Sequence, residues 1–417
     1  MRGSKGSAVA APLWAIAAMA AVVGTVTAFG VGPDPRAPGS EATPEAARQE
    51  QILRGRQLVL EHGCGGCHGG WDNPGAEGFL AGVTSPAQEF LIGPCAWEPG
   101  AEPCFRTRPR NLTPHPTTGM GRFSERQIFN SLRYGLRPGE TADVEITSST
   151  PGEGNFPMFP KYLAPPMPWA AWRHMPDEDL WAIAAYLKDG LKPVDNLVED
   201  SEGPPDFWVS NYTEEAYGTY PLPPFPTANE QEPPASANRE QVLRGRHLVV
   251  QHGCGDCHGG LTNPAAPAFL AGVTAPVQVF PVGPCLVDPE APCFMMRPRN
   301  LTPHSTTGIG RWTDRQLFNA LRHGLRPAGY PDRVITADNH PDNPDLLAPG
   351  MVWVEKRHMS DDDLWAIIAY LRHGLKPVEN EVEESDRPAE GWGGTYVDLG
   401  VGTYPAVPFP TANEVGG

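Results

Sequence analysis

Positive charge is scarce in this sequence: 32 Lys and Arg face 49 Asp and Glu, a formal net charge of -17. A nucleic-acid binder needs a basic footprint to displace counterions from phosphate, so that class is excluded. The acidic balance favours solubility and steering toward basic patches on partner proteins. Sustained apolar/polar alternation is also missing, and strands are therefore expected to be few and short. No cysteine is left over, because the eight divide evenly between the halves of the chain, one CxxC pair and one further pair in each.

Proline and glycine are abundant, 49 and 46 of 417 residues. They predict loop-rich domains whose short helices are joined by ordered, proline-stiffened segments. With 11 Trp and 15 Phe the chain has enough apolar mass to pack. At the N-terminus Arg2 and Lys5 precede an uncharged apolar run, 8–31, about long enough to span a bilayer. Residues 1–31 read as a hydrophobic membrane-anchor helix or, with cleavage near Ala28, as a signal segment, and 32–43 as a linker. Basic residues ahead of the run put the rest of the chain on the far side, the periplasmic side of a bacterial inner membrane.

The chain is written twice. ILRGRQLVLEHGCGGCHGG at 52–70 returns as VLRGRHLVVQHGCGDCHGG at 242–260, and RPRNLTPHPTTGMGRF returns as RPRNLTPHSTTGIGRW. LAPPMPW with HMPDEDLWAIAAYL is matched by LAPGMVW with HMSDDDLWAIIAYL, and the tails GTYPLPPFPTANE and GTYPAVPFPTANE also agree. Two tandem domains follow, 44–230 and 238–417, each with its own proline-rich tail and joined by a linker at 231–237.

Each half predicts three helices. One leads into the CxxC motif and, in the first half, opens at Thr43-Pro44-Glu45 with a cap residue and a first-turn proline. A second starts at Ser124 or Thr313, followed three residues on by Gln127 or Gln316, the pattern of a capping box. The third carries Leu180, Ile183, Ala184 and Leu187, or Leu364, Ile367, Ile368 and Leu371, an amphipathic stripe stopped by Gly190 or Gly374.

Cys64-Gly-Gly-Cys67-His68 and Cys254-Gly-Asp-Cys257-His258 are CxxCH motifs. Two thiols at this spacing form thioethers to the two vinyl groups of one haem, and the next residue sets an imidazole beneath the iron. Zinc needs a second ligand pair nearby, and a thioredoxin-like site needs a βαβ setting; neither is visible. Two covalently bound haems c are therefore expected. For the sixth ligand only Met167/Met351 and Met175/Met359 recur in both halves outside the leader. Met175 and Met359 directly precede the third helix and read as packing. Met167 and Met351 sit in loops flanked by Pro or Gly, free to present a thioether, which stabilises ferrous iron. Histidine is the rival through His174/His358, whereas His62/His252 lie too near CxxCH to reach the opposite face and His115/His304 suit a backbone or propionate bond. Arg108, Arg110 and Trp169, with Arg297, Arg299 and Trp353, are donors suited to haem propionates. Cys95 with Cys104, and Cys285 with Cys293, read as local disulfides of an oxidising compartment.

With CxxCH, NLTP...TGxGR(F/W) and MPW ahead of a (D/E)DLWAIxAYL helix in place, both halves resemble class I cytochrome c domains. They look most like the cytochrome subunits of bacterial membrane-associated dehydrogenases and related dihaem cytochromes. The resemblance implies a mainly α fold and a Met of MPW as sixth ligand, which is Met167; at Met351 the following Pro is replaced by Val352. It also implies that the first and last helices cross at a small residue and an aromatic, here Gly55 with Tyr186 and Gly245 with Tyr370. Electron transfer between redox partners is the function expected, the partner being a dehydrogenase, a quinol-oxidising complex, a reaction centre or a terminal oxidase. A haem enzyme such as a dihaem peroxidase, and a structural subunit of a larger membrane redox complex, are the alternatives.

Overall fold

Helices form where the sequence punctuates them. In the first half α1 (Pro44–Glu61), α2 (Cys64–His68), α3 (Glu125–Tyr134), α4 (Trp169–Trp172), α5 (Asp177–Ala185) and α6 (Glu214–Tyr217) follow one another. The second half repeats most of them as α7 (Arg239–Gln251), α8 (Cys254–His258), α9 (Asp314–His323), α10 (Trp353–Lys356) and α11 (Asp361–Ala369). The computed structural model describes residues 43–84, 89–96, 100–274, 280–283, 285, 290–389, 391–396 and 401–416. The apolar run 8–31 lies outside them, and among the described residues no helix is long and apolar enough to cross a membrane.

Both expected capping boxes are present: Ser124 and Thr313 accept from the backbone N–H of Gln127 and Gln316, whose side chains accept in return from the cap residues' N–H. Gly135 and Gly324 close the same helices in the left-handed conformation. The first long helix of each half makes the main packing contact, α1 on α5 and α7 on α11. Leu58 and Val59 of α1 and Leu180, Ile183 and Ala184 of α5 are buried together in the first core, and the second half builds the equivalent core. The crossings need glycine, because a methyl group at Gly55 falls 1.9 Å from the carbonyl oxygen of Ala182, and at Gly245 1.8 Å from that of Ala366. Tyr186 and Tyr370 cap the crossings, each starting a π-type turn that ends at Gly190 or Gly374.

Strands are short. β1 (Phe90–Ile92) pairs antiparallel with β2 (Phe105–Thr107), and β3 (Phe280–Val282) with β4 (Phe294–Met296). The Cys95–Cys104 disulfide closes the first hairpin and Cys285–Cys293 the second.

Residues 44–417 cluster as one compact unit in which the halves meet reciprocally: α1 touches α10 of the other half, and α7 touches α4. The tails cross over. Glu414 pairs in a β-bridge with Leu191 of the first half, and Glu230 with Leu375 of the second. Glu414 accepts from Arg56 Nε at 2.6 Å and Tyr186 Oη at 2.6 Å; Glu230 accepts from Arg246 Nε at 2.7 Å and Tyr370 Oη at 2.6 Å. Each tail thus inserts a buried carboxylate into the helix crossing of the opposite half.

Candidate functional site

Gly63 and Gly253 take left-handed φ of 62° and 61°, turning the chain out of α1 and α7 and directly into the CxxCH helices. That turn brings Cys64, Cys67 and His68 onto a cavity of about 720 Å³, on which Met167 also lies. The volume is of the size that takes a drug-sized ligand or cofactor. The lining is mostly apolar, with Leu112, Met120, Ile128, Leu132, Ile183 and Leu187 on its walls. None of Cys64, Cys67, Cys254 and Cys257 is in a disulfide.

His68 is held by its far nitrogen. Its Nδ1 lies 2.7 Å from the carbonyl oxygen of Arg110, and because a carbonyl only accepts, Nδ1 carries the proton and Nε2 keeps a lone pair. His258 is fixed identically by Arg299 O at 2.7 Å. Burial lowers the pKa of both rings, which favours the neutral ligand form. A backbone carbonyl on the second nitrogen is the usual orienting partner of a metal-bound imidazole. Met167 sits in a tight turn, its N–H donating to Ala164 O at 2.9 Å and its carbonyl accepting from Trp169 N at 2.8 Å. Met351 repeats this turn with Ala348 at 2.8 Å and Trp353 at 2.7 Å. Unpaired thiols, a tautomer-fixed imidazole and a thioether around one apolar cavity fit a covalently attached haem.

Met175 and Met359 are buried in the two cores. His174 and His358 pack on Tyr220 and Tyr404 and do not line the cavity. His115 and His304 accept from the backbone N–H of Thr118 and Thr307, each at 3.2 Å. Arg108 and Arg110 do reach the cavity, but with engaged guanidinium groups: Arg108 donates to Glu89 at 2.6 Å and to Asp200 O at 2.9 Å, and Arg110 pairs with Asp200. Arg297 and Arg299 pair likewise with Asp386 and Glu384. The indoles of Trp169 and Trp353 are buried against Tyr212 and Tyr396, with ring centres 4.7 and 5.0 Å apart, and Trp169 lines a smaller neighbouring cleft and not the cavity itself.

The cavity also has lining that the individual motifs do not place there. Arg122, the Arg of TGxGR(F/W), lines it with its guanidinium 4.7 Å from the Phe123 ring centre and makes no ion pair among the described residues. The other half supplies His252, Asp256, Cys257, Glu355 and Lys356 to the same wall. Glu355 reaches across so that a methyl group on Gly63 falls 2.0 Å from its carboxyl carbon; in the second half Asp256, inside its own CxxCH, lies 2.6 Å from the same point on Gly253. Each attachment turn therefore has one carboxylate against it, from a different place in the sequence. Burial raises Asp256 to about 7 and, with Glu355 beside it, Asp72 to about 8.

No family model matches the chain. It is 25% identical over 378 residues to the gluconate 2-dehydrogenase cytochrome c subunit of Pantoea cypripedii, covering 86% of this chain and 68% of that one. The alcohol dehydrogenase (quinone) cytochrome c subunit of Komagataeibacter europaeus is 26% identical over 275 residues, 64% of this chain and 47% of the relative. The fructose dehydrogenase cytochrome subunit of Gluconobacter japonicus is 30% identical over 162 residues, 39% of this chain and 27% of the relative. The matched segments thus span about two thirds of the first relative, about half of the second and about a quarter of the third. The homologues are cytochrome subunits of dehydrogenases, which implies covalently bound haem c and agrees with an electron carrier, not an enzyme in its own right.

Proposed function

We propose that the chain is a dihaem c-type cytochrome serving as the electron-transfer subunit of a dehydrogenase complex, on the periplasmic side of a membrane to which residues 8–31 hold it. The observation that carries the reading is the convergence of Cys64, Cys67, the oriented His68 and Met167 on one cavity, with every one of these residue types repeated in the second half. A bound haem supplies one-electron chemistry at its iron. The thiols of Cys64, Cys67, Cys254 and Cys257 would attach it, and Nε2 of His68 and His258 and the sulfurs of Met167 and Met351 would be the atoms that hold its iron. Arg122 and its counterpart Arg311, whose guanidinium lies 5.0 Å from the Trp312 ring centre, would compensate propionate charge, because Arg108, Arg110, Arg297 and Arg299 already face carboxylates of the chain. Residues 44–230 and 238–417 serve as the two haem domains, and the dehydrogenase partner reduces them.

A pyridine haemochrome assay on denatured protein is expected to give two haems per chain, and Cys64→Ala with Cys67→Ala to leave one. Met167→Ala is expected to open one iron to carbon monoxide and remove about half of the sulfur-to-iron charge-transfer band of the ferric protein, one of two thioether ligands being lost. One haem per chain, or an undiminished band in Met167→Ala, contradicts the reading.

A further inference from the structure

The contact between the two halves contains a stacked pair to which the reading above gives no part in attaching or ligating a haem. His62 and His252, each two residues before the first cysteine of its CxxCH motif, stack on each other with ring centroids 4.2 Å apart and planes 9° from parallel. Both line the cavity that holds Cys64, Cys67 and His68, and Trp172 meets the edge of His62 at 5.9 Å. All four ring nitrogens are buried and, among the described residues, have no hydrogen-bond partner.

As packing alone this is a poor choice. A buried polar atom without a partner loses its hydration, at about 1 to 3 kcal/mol each, whereas an apolar side chain of similar shape incurs no such loss. A buried polar group left unsatisfied in a native protein calls for an explanation, and a redox role is one. Burial drives both rings to the neutral form, which removes the repulsion that two stacked imidazolium ions suffer. The pair lies where the halves meet, and its rings are joined to the haem-bearing thiols by the short segments His62-Gly63-Cys64 and His252-Gly253-Cys254.

We propose that the His62–His252 stack is the route by which an electron crosses between the two haem sites. The proposal rests on the dihaem reading above. In the step one electron leaves a ferrous iron in one half and reduces a ferric iron in the other; no bond is made or broken and no proton moves. Two stacked π systems, each two residues before an attachment cysteine, provide a packed bridge where the halves meet.

The test uses the full chain in a Met167→Ala background, where carbon monoxide holds one haem ferrous while the other is oxidised. Flash photolysis of the ligand then releases an electron toward the second haem, and its transfer is followed optically. Haemochrome content and carbon monoxide binding are measured first, so that failure of the dihaem or Met167 reading shows there and not in the transfer step. His62→Leu with His252→Leu is expected to lose the fast transfer phase while keeping haem content and carbon monoxide binding, which also report that the variant folds. His62→Phe with His252→Phe, which restores two stacked rings, is expected to retain the phase. A leucine variant that keeps the full rate, or a phenylalanine variant that loses it as completely as leucine, overturns the proposal.

Discussion

A buried side chain in this molecule is defined by what its far end meets. His68 and His258 are legible in the sequence because CxxCH names them, but the carbonyls of Arg110 and Arg299 that fix their tautomer lie about forty residues away, and a backbone carbonyl leaves no mark in the residue type. Glu61 is a sharper case. It ends α1, only 7% exposed, with Gln57 Nε2 donating to its carboxylate at 2.9 Å. Burial raises its pKa from 4.5 to about 7. Between those values the folded protein holds a proton that the unfolded chain has released, so this group's stabilising contribution is complete below 4.5 and lost as pH rises toward 7. Glu61→Gln is expected to remove that slope and to exceed the native protein in stability at pH values of about 8, by up to roughly 3 kcal/mol. Urea denaturation at acid and alkaline pH reads this directly. An equal native-to-variant difference at both ends shows that the carboxyl does not titrate as described.

Elements were more legible than their contacts. The capping boxes at Ser124 and Thr313 and the Leu180 and Leu364 stripes are local patterns, and the helices form where those patterns place them. The one-turn helices α4 and α10 were not anticipated, because WAAW and WVEK are too short to show a period. The crossing of α1 on α5 depends on Gly55, where a Cβ atom meets the Ala182 carbonyl, a backbone atom that cannot swing aside. Gly55→Ala is expected to push the helices apart and to cost about 3 kcal/mol or more, above the gain in helix propensity of about 1 kcal/mol. Thermal unfolding of the purified variant measures it; a variant as stable as the native protein shows that the crossing relaxes freely.

At the scale of the whole molecule the exchanged tails join the halves. Glu414 is fully buried against Arg56 and Tyr186 of the first half, and Glu230 against Arg246 and Tyr370 of the second. Removing one partner of a buried ion pair leaves the other uncompensated, at about 3 to 5 kcal/mol. Glu414→Ala is therefore expected to destabilise the half to which it does not belong in sequence. Native-state hydrogen exchange should accelerate in α1 and α5 before α7 and α11, and Glu230→Ala should reverse the order. Faster exchange confined to the second half in Glu414→Ala contradicts the exchange of tails.

The sequence by itself determined the repeat, the attachment motifs, the caps, the amphipathic faces and both disulfide pairings, because each is written in residues close together in the chain. Even the glycines of the helix crossings could be named, since their role follows from a local pattern shared with a known fold. Only the tertiary structure decided which tail serves which half, that Glu355 supplies the first attachment turn with the carboxylate Asp256 gives the second, and that His62 meets His252. The physical reason is the internal repeat: two nearly identical halves offer nearly identical surfaces to each tail. A choice between equivalent partners is made by chain connectivity and by the packing of both halves together, which no local pattern records.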